Sequence, residues 1–297
     1  MMRYTLRQIE CLRAVGQYGS IAAAAQALML SASAVSGALN ELDRAFNTQL
    51  TVRRKAHGVS LTASGEYVLT EGRNLLQLAE DLDAMAAEAG AVLRGRVRIG
   101  CYQSLAPTVL VELLDEYLKR YPQVQVDFFA GTQEQIHRKL QAGELDLAVV
   151  YDFGMPDGLK QRVLQISEPV VVLPPAHPLA QQPKIALAQL VSEPMILLDV
   201  QPSREHTNML FAAAGLTPWI RYRTTDFEAT RSMVARNMGY AILIQRPQGD
   251  RSYEGKELAV RGIHPVVSKV RVCLVSPEAL RPSRAVAAMH ELAVALH

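Results

Sequence analysis

The stretch SIAAAAQALMLSASAVSGALNEL, residues 20–42, decides how the N-terminal part of this chain folds. Ser20 and Ser31 each stand directly before a helical pattern, where a serine hydroxyl can accept a backbone N–H that the first helical turn leaves unpaired. Very few residues separate the first helix from Ser31, so the turn between the two helices is tight. Small side chains such as Ala24 and Ala25 allow the helices to cross closely. The stretch therefore predicts a helix-turn-helix rather than two unrelated alanine-rich helices.

The second helix of this pair has two unlike faces. At about 100° per residue, Val35, Leu39 and Leu42 fall on one side and form an apolar stripe. The opposite side, where a solvated helix usually carries Glu and Lys, has only short side chains. This slim side fits the major groove of DNA, where serine can contact bases and asparagine can pair with adenine, although the serines could also be local caps only. The predicted DNA contacts on this helix are Ser31, Ser33, Ser36, Gly37 and Asn40.

A small basic wing is predicted after the helices. In QLTVRRKAHGVSLT, residues 49–62, β-type residues flank a basic turn that ends at Gly58. Residues 1–62 hold seven basic and three acidic side chains, a net charge of +4, whereas residues 63–297 have a net charge of −2. A basic head indicates a polyanionic partner such as DNA, whose phosphates attract Lys and Arg. The predicted wing contacts, for which solvated surface charge is the alternative, are Arg53, Arg54 and Lys55.

A long helix is predicted from Ala63 to about residue 92, between the basic head and the rest of the chain. Its apolar and small residues follow a 4,3,4,3 spacing, which is typical of a coiled-coil seam. We expect this linker, residues 63–93, to pair with a second copy of the chain; the alternative is an amphipathic helix that lies on its own domain. The seam comprises Val68, Gly72, Leu75, Ala79, Leu82, Ala86 and Ala89, with Val68, Leu75 and Leu82 as the main dimerisation residues.

The rest of the chain alternates between strand-like and helix-like stretches. The short steps from strand to helix predict βαβα units with a parallel sheet. The alternation resumes after the Pro-rich PVVVLPPAHPLAQQP, which indicates two α/β lobes joined by extended crossings. The expected domains are a DNA-binding domain at 1–62, the linker, and a two-lobed domain at 94–297, with a first lobe at about 94–164 and 267–297 and a second at about 165–266.

Residues and motifs along the chain match a known pattern. In the N-terminal part they are Ala24, Ala25, Leu28, Ser31, Ala34, Val35, Ser36, Leu42, Leu50, Arg53, Leu61, Thr62 and Gly65; in the body they are VRIG, YLKRYPQVQV, LQAGELDLAVV and ARNMGYAILIQRP. They resemble the LysR-type transcriptional regulators of bacteria over essentially the full chain. The resemblance implies a winged helix-turn-helix, a linker helix and a two-lobed effector domain like that of periplasmic solute-binding proteins. Such proteins generally act as dimers or tetramers on double-stranded promoter or operator DNA.

The sequence departs from this family pattern on the predicted recognition helix. The family often has Gln, Pro and a basic residue where this chain has Ala32, Ser33 and Gly37, and an aromatic residue where it has Thr51. Two side chains that relatives offer to DNA are therefore missing. We expect recognition to depend instead on the remaining polar residues of the helix, on the wing and on DNA shape.

Four segments stand at places where two-lobed α/β folds bind ligands. Such ligands lie beyond the carboxyl ends of strands, where helix N-termini point their amides inward. CYQS and GTQ occupy these places in the first lobe, and DVQPSRE and TTDFE in the second. We expect a small polar or anionic metabolite here, with Arg204 available to a carboxylate. The predicted effector contacts, each with helix capping as its alternative role, are Gln103, Ser104, Thr132, Gln133, Ser203, Arg204, Thr225 and Asp226.

The predicted function is sequence-specific DNA binding that regulates transcription and that an effector between the lobes modulates. The alternative is a solute-binding or redox-sensing variant that uses Cys101, which ends a strand at the cleft. A reactive thiol needs a nearby cation or helix N-terminus, and a buried inert thiol is the competing interpretation.

Other classes of protein lack their signatures here. The chain has no GxSxG, HExxH, P-loop or dinucleotide-binding motif, so we predict no enzyme activity, no cofactor and no metal. It has no apolar run of 18 residues and no signal-peptide core, and its three cysteines are far apart. We therefore expect a cytoplasmic protein with reduced thiols rather than an exported solute-binding protein.

Overall fold

The N-terminal part of the chain is a helical bundle with a short wing, followed by a long helix. The computed structural model describes residues 3–54, 58–86, 92–265, 267 and 269–297. The elements of this part are α1 (Leu6–Tyr18), α2 (Ile21–Ala27), α3 (Ala32–Phe46), β1 (Thr51–Arg54), β2 (Gly58–Leu61) and α4 (Ala63–Ala86).

The predicted helix-turn-helix is confirmed. The hydroxyls of Ser20 and Ser31 accept hydrogen bonds from the backbone N–H groups of Ala23 and Ala34 at 3.4 and 3.1 Å, so both serines cap their helices. The chain bends by 107° between α2 and α3, as expected of this motif. In the described ranges no single helix is long and apolar enough to cross a membrane, and only the bent pair α2 and α3 reaches that length and composition together.

The apolar stripe of α3 holds this helix to the bundle. Val35, Leu39 and Leu42 are buried in a core that they share with Ile9 and Ala24. Burying an aliphatic side chain of this kind contributes about 1.5–3 kcal/mol. Because this contact fixes the inward side of α3, it also fixes the side that faces solvent.

The inward face of α4 differs from the predicted seam. Leu69, Gly72 and Leu76 are buried, and a Cβ at Gly72 would clash with the side chain of Ile9. Gly72 therefore faces the core of its own helical bundle, and its assignment to a seam with a second copy was wrong. The reason is that a 4,3 spacing fits two neighbouring stripes of one helix, and the sequence does not show which stripe the bundle covers.

The predicted dimerisation residues of α4 lie beside this inward stripe. Val68 packs partly against the helical core, Leu75 is half-buried, and Leu82 is 65 % exposed. The side chain of Ala86 and the whole of Ala89 lie outside the described residues. The pairing of α4 with a second copy stays a prediction.

The C-terminal part consists of two α/β lobes. Its elements in chain order are β3 (Gly95–Tyr102), α5 (Val111–Arg120), β4 (Val124–Gly131), α6 (Gln133–Gln141), β5 (Leu147–Tyr151), β6 (Leu159–Ser167), β7 (Val170–Leu173), β8 (Lys184–Ala186), β9 (Pro194–Leu198), α7 (Ser203–Ala213), β10 (Trp219–Thr224), α8 (Phe227–Ala235), β11 (Ala241–Leu243), β12 (Ala259–His264), β13 (Val270–Pro277) and α9 (Arg284–Leu296). The fold class predicted from the sequence is confirmed.

The sheet of the first lobe is mixed rather than parallel. Its strand order is β4-β3-β5-β13-β6. β3 is parallel to β4 and β5 as predicted, but β13 is antiparallel to both β5 and β6. β13 re-enters from the second lobe, so no crossover helix sets its direction. β6 is a further strand that the sequence pattern does not predict, and it continues to Ser167, past the predicted lobe border at residue 164.

The second lobe contains strands that the sequence analysis did not predict. Its sheets have the orders β11-β7-β12-β8 and β10-β9, and they meet where the backbone N–H of Ile196 donates to Tyr240 O at 2.8 Å. β7 lies inside the Pro-rich stretch that was interpreted as a crossing. β7 is antiparallel to β11 and β12, whereas β9 and β10 are parallel.

Candidate functional site

The outer face of α3 is open to solvent. Ser33 and Asn40 are exposed, and Ser36 and Gly37 are half-buried. A Cβ placed on Gly37 would meet no atom of the described residues within 4 Å, so the space in front of Gly37 is open. A face of this shape can enter the major groove without a steric clash, and its hydroxyl and amide groups can hydrogen-bond to base edges.

The first turn of α3 combines capping with exposure. Ser31 Oγ, which accepts the N–H of Ala34, also lies 2.9 Å from Ser33 Oγ. Ser31 is therefore a helix cap in addition to being a predicted DNA contact. Ala32 and Ala34, which the sequence analysis did not select, are exposed in the same turn. The N–H groups and the dipole of a first helical turn favour a nearby phosphate.

The wing is a hairpin attached to the end of α1. β1 and β2 pair antiparallel, with Arg53 opposite Val59. The backbone N–H of Val59 donates to Gly19 O at 2.8 Å. Gly58 has a φ of +77°, and a Cβ there would collide with the Gly19 carbonyl, so glycine is needed at this place. The side chains of Arg53 and Arg54 and the whole of Lys55 lie outside the described residues.

Two buried tyrosines lie at the carboxyl ends of β3 and β5. The rings of Tyr102 and Tyr151 meet edge-on with their centroids 5.4 Å apart. Burial raises the pKa of Tyr102 to about 12, and the neighbouring Ser203 side chain opposes that rise. Burial likewise raises the pKa of Tyr151, and the neighbouring Ser104 side chain opposes that rise. Neither phenol oxygen has a hydrogen-bond partner among the described residues. Both phenols therefore stay protonated near neutral pH and keep a proton to donate.

Gln133 supplies a buried acceptor beside this pair. Its side chain is almost fully buried, and its Nε2 donates to the carbonyl oxygens of Tyr151, at 3.1 Å, and Phe153. Its Oε1 is buried without a hydrogen-bond partner among the described residues. An unpaired buried acceptor costs about 1–3 kcal/mol, so this oxygen is a candidate to accept a hydrogen bond from a ligand. The neighbouring Thr132 caps α6 instead, through its hydroxyl and Gln135 N.

Arg204 in the second lobe is already paired. Its guanidinium lies 3.1 Å from Asp199 Oδ1 and 2.6 Å from Glu205 Oε1. Arg223 bonds to the other carboxylate oxygen of Asp199 at 3.2 Å. Burial raises the pKa of Glu205, but hydrogen bonds led by Arg204 outweigh it and leave the pKa below its usual value. Two carboxylates thus balance two guanidiniums, and Arg204 is not an uncommitted cation for a ligand carboxylate.

Hydrogen bonds join the two lobes across the cleft. Gln103 Nε2 donates to Thr225 O at 3.4 Å, and Gln245 Nε2 donates to Thr108 Oγ1 at 2.8 Å. Asp226 caps α8 by accepting the N–H of Ala229 at 2.6 Å. The structure therefore connects Gln103, Ser104, Gln133, Ser203 and Thr225 to one interlobe region, whereas Thr132 and Asp226 serve as helix caps at its rim.

Two family models match this chain. The helix-turn-helix model described as a bacterial regulatory protein of the lysR family matches residues 6–66, and the LysR substrate binding domain matches residues 90–296. The chain belongs to the LysR family. It is a DNA-binding transcriptional regulator with a C-terminal effector-binding domain. Members of this family are regulators and in general not enzymes.

Individual relatives agree with this LysR assignment. The chain is 31 % identical over 241 residues to the transcriptional regulator MetR of Escherichia coli K12, across 80 % of this chain and 74 % of MetR. HinK, a LysR family transcriptional regulator from Pseudomonas aeruginosa, is 29 % identical with a TM-score of 0.67, across 99 % of this chain and 98 % of HinK. The effector binding domain of QuiR, solved in complex with shikimate, has a TM-score of 0.62 over 69 % of this chain and 97 % of that domain; at 21 % identity it shows the fold alone.

Cys101 of this LysR-family chain is a buried thiol. It is fully buried, and its Sγ contacts Tyr102 O at 3.4 Å. Burial raises the pKa of the thiol far above its usual value, and burial also raises the pKa of Cys273 to about 11. Because the thiolate is the reactive form, these surroundings favour the inert-thiol interpretation over redox sensing.

Sequence reasoning missed three polar residues of the LysR-family cleft. Tyr102 stands next to the selected Gln103, and Tyr151 ends the strand-like run DLAVVY, residues 146–151. The rule that ligands lie at the carboxyl ends of strands therefore already indicated both. Gln245 contacts Thr108 across 137 positions of the chain, and no local pattern shows such a contact.

Proposed function

We propose that this LysR-family regulator reads a specific promoter or operator sequence with the outer face of α3. The observation that carries the proposal is the open space around Gly37 on a helix whose other face is fully buried. In this account Ser33, Ser36 and Asn40 contact base edges or phosphates, and the first turn with Ser31 holds a phosphate. Arg53, Arg54 and Lys55 of the wing contact the DNA backbone, in keeping with the net charge of +4 over residues 1–62.

The effector in this proposal is a small polar metabolite held between the lobes of residues 94–297. The phenols of Tyr102 and Tyr151 and the unpaired Oε1 of Gln133 offer donors and an acceptor for its polar groups. Because the charge of Arg204 is balanced, a polar or weakly charged ligand is favoured over a strongly anionic one. The shikimate complex of the QuiR domain supports a small molecule as the ligand of this kind of domain.

Effector binding changes lobe closure in this account. A ligand between the lobes must replace or reinforce contacts such as Gln103–Thr225 and Gln245–Thr108. A ligand shifts an equilibrium only by its difference in affinity for the two states, so the effector acts on DNA binding through the closure that it prefers.

The regulator works as a homodimer or homotetramer in this proposal, with domains at 1–62, 63–93 and 94–297. Leu82 on α4 is 65 % exposed, and large apolar side chains are also exposed on both lobes, namely Val111, Phe128 and Trp219. Covering such side chains removes apolar surface from water. Since its target is DNA, the protein acts in the cytoplasm of a bacterium.

Selection from sheared genomic DNA with the full chain tests the DNA-binding proposal. We expect a few enriched fragments, each with paired half-sites whose centres are about 10–10.5 bp apart or a multiple of that distance. The matched control is the Gly37→Glu variant, which places a carboxylate on the proposed contact face. Equal recovery of all fragments by the parent protein would contradict specific binding.

A ligand screen tests the effector proposal. Thermal unfolding of the full chain with pools of polar metabolites identifies a stabilising compound, and calorimetry then compares the parent with Gln133→Met and with Gln161→Met, an exposed control on β6. We expect the compound to bind Gln133→Met at least tenfold more weakly and to bind the control as it binds the parent. Equal affinity for both variants would show that the ligand does not bind in this part of the cleft.

A further inference from the structure

A cavity of about 450 Å³ lies where the DNA-binding part of the chain meets the first lobe. Its walls come from α1 and α4 on one side, and on the other from β3, β6, α9 and the connections between α6 and β5 and between β13 and α9. Direct contacts hold these walls together: Arg73 Nη1 donates to Gln141 O at 3.1 Å, and Asn74 Nδ2 donates to Ala279 O at 3.2 Å. The cavity therefore lies between two parts of the chain with different functions.

The walls of this cavity carry an excess of positive charge. Asp146 and Glu291 are its acidic lining residues, and Asp146 is bonded to Arg98 at 2.5 Å. Arg96 is paired with Asp127. Within the described part of the chain, the lining cations without a carboxylate partner are Arg13, Arg73, Lys160 and Arg281. Cationic side chains from both sides of the junction thus surround one space.

Arg73 shows the energetic consequence of this excess charge. Its guanidinium donates to two neutral acceptors, the carbonyl oxygens of Gln141 and Ala142, and its Nε is buried without a partner among the described residues. Burial lowers the pKa of Arg73, and repulsion from Arg13 and Arg98 lowers it further against the attraction of Glu66. A partly buried charge without a counter-charge is costly, and an anion in the cavity would remove that cost.

We propose that this cavity is a second ligand site, which binds a small multivalent oxyanion of the organic phosphate class. Guanidinium groups match phosphate oxygens with two parallel hydrogen bonds, which makes arginine the preferred residue for such recognition. The N-terminus of α9, where Ser283 and Arg281 line the cavity, adds the positive end of a helix dipole. The site differs from the interlobe cleft, where guanidiniums are balanced by carboxylates.

An anion at this site would fix the orientation of the DNA-binding part against the first lobe. Its ligands come from both walls, so it would cross-link α1 and α4 to the lobe and favour the arrangement seen here. Operator affinity would then change with the concentration of the anion. This consequence rests on the proposed DNA binding, whereas binding of the anion does not.

Calorimetry with inorganic pyrophosphate as the probe tests the site in the full chain. We expect one equivalent to bind, and the Arg13→Gln/Arg281→Gln double variant to bind at least tenfold more weakly. These two side chains make no side-chain hydrogen bond or ion pair among the described residues, so the contacts of Arg73 and Asn74 across the junction stay intact. Citrate in a parallel titration distinguishes phosphate from carboxylate recognition, and tighter binding of citrate would overturn the phosphate assignment.

The control variant Arg236→Gln/Arg251→Gln removes the same charge from exposed ion pairs of the second lobe. We expect it to bind pyrophosphate within twofold of the parent. Without the anion, the thermal midpoint of Arg13→Gln/Arg281→Gln should be no lower than that of the parent, because cationic repulsion is relieved. No binding by the parent, or equal binding by the two double variants, would overturn the site. If saturating pyrophosphate at constant ionic strength did not change operator affinity, the proposed link between the anion and DNA binding would be overturned, but the anion site itself would not.

Discussion

The outer face of α3 and the interlobe cleft carry the two halves of the proposed function. The side chains of the first are open to solvent, whereas those of the second are already hydrogen-bonded within the protein. On α3, Asn40 is exposed and Gly37 borders open space. In the cleft, Gln103 and Gln133 are held by hydrogen bonds to the chain's own carbonyl groups. A surface for a large external partner can be open before binding, whereas a cleft for a small ligand is also part of the core. Substitutions of the exposed polar side chains of α3 should therefore affect binding with little change in stability, and those in the cleft should affect stability too.

The largest expected effect is that of Gly37→Glu on DNA binding. A carboxylate on the open face would meet the phosphates and base edges, and we expect operator affinity to fall at least 100-fold, about 2.7 kcal/mol. Fluorescence anisotropy with a selected operator measures it. Gly37→Ala is the matched control: no atom of the described residues lies within 4 Å of the new Cβ, so we expect near-parental binding and a gain of about 0.5–1 kcal/mol in unfolding free energy. If Gly37→Glu bound the operator with the affinity of the parent, the outer face of α3 would not be part of the DNA interface.

The next largest expected difference between the two regions is in how a substitution changes the free energy of unfolding. Gln133→Met leaves the carbonyl oxygens of Tyr151 and Phe153 without their donor, and we expect the free energy of unfolding to fall by about 1–3 kcal/mol. Asn40→Met, on the exposed face of α3, should change it by no more than about 0.5 kcal/mol. Urea unfolding followed by circular dichroism measures both variants. Equal losses would show that the two regions do not differ in the way described here.

The smallest expected effect concerns the wing. Arg53→Ala removes one phosphate contact in the proposed complex, so the slope of log K against log[salt] should become shallower by about 0.9. We expect the loss of affinity to be the same for operator and for unrelated DNA, because phosphate contacts carry no direct sequence information. A parental salt slope would place Arg53 away from the DNA backbone.

Local signals in the sequence predicted the DNA-binding part correctly. The caps at Ser20 and Ser31 and the stripe of Val35, Leu39 and Leu42 each depend on residues within a few positions of one another. The missed strands β6, β7, β8 and β12 pair with segments far along the chain, and a short apolar run does not reveal its partner. Gly72 of α4 was misassigned for a related reason, since only the folded bundle shows that Ile9 covers it.

The α3 site was more predictable from the sequence than the cleft, because its residues lie close together along the chain. All α3 candidates lie on one helix, so its period alone sets their direction. The cleft collects side chains from several strand ends; the sequence indicated the ends but not the partners of each side chain. The neutralisation of Arg204 by Asp199 and Glu205 is one example, and the contact of Gln245 with Thr108 is another.

Site-directed DNA cleavage tests the central claim, that the outer face of α3 lies in the major groove, most directly. The native cysteines are buried, so a DNA-cleaving iron chelate can be attached selectively to an Asn40→Cys variant, with Gln161→Cys as the control on β6. We predict cuts confined to both half-sites of the selected operator, with the strand offset typical of the major groove, and none from the control. Cleavage by the control alone, or a pattern from the α3 variant with the offset of the minor groove, would contradict the account.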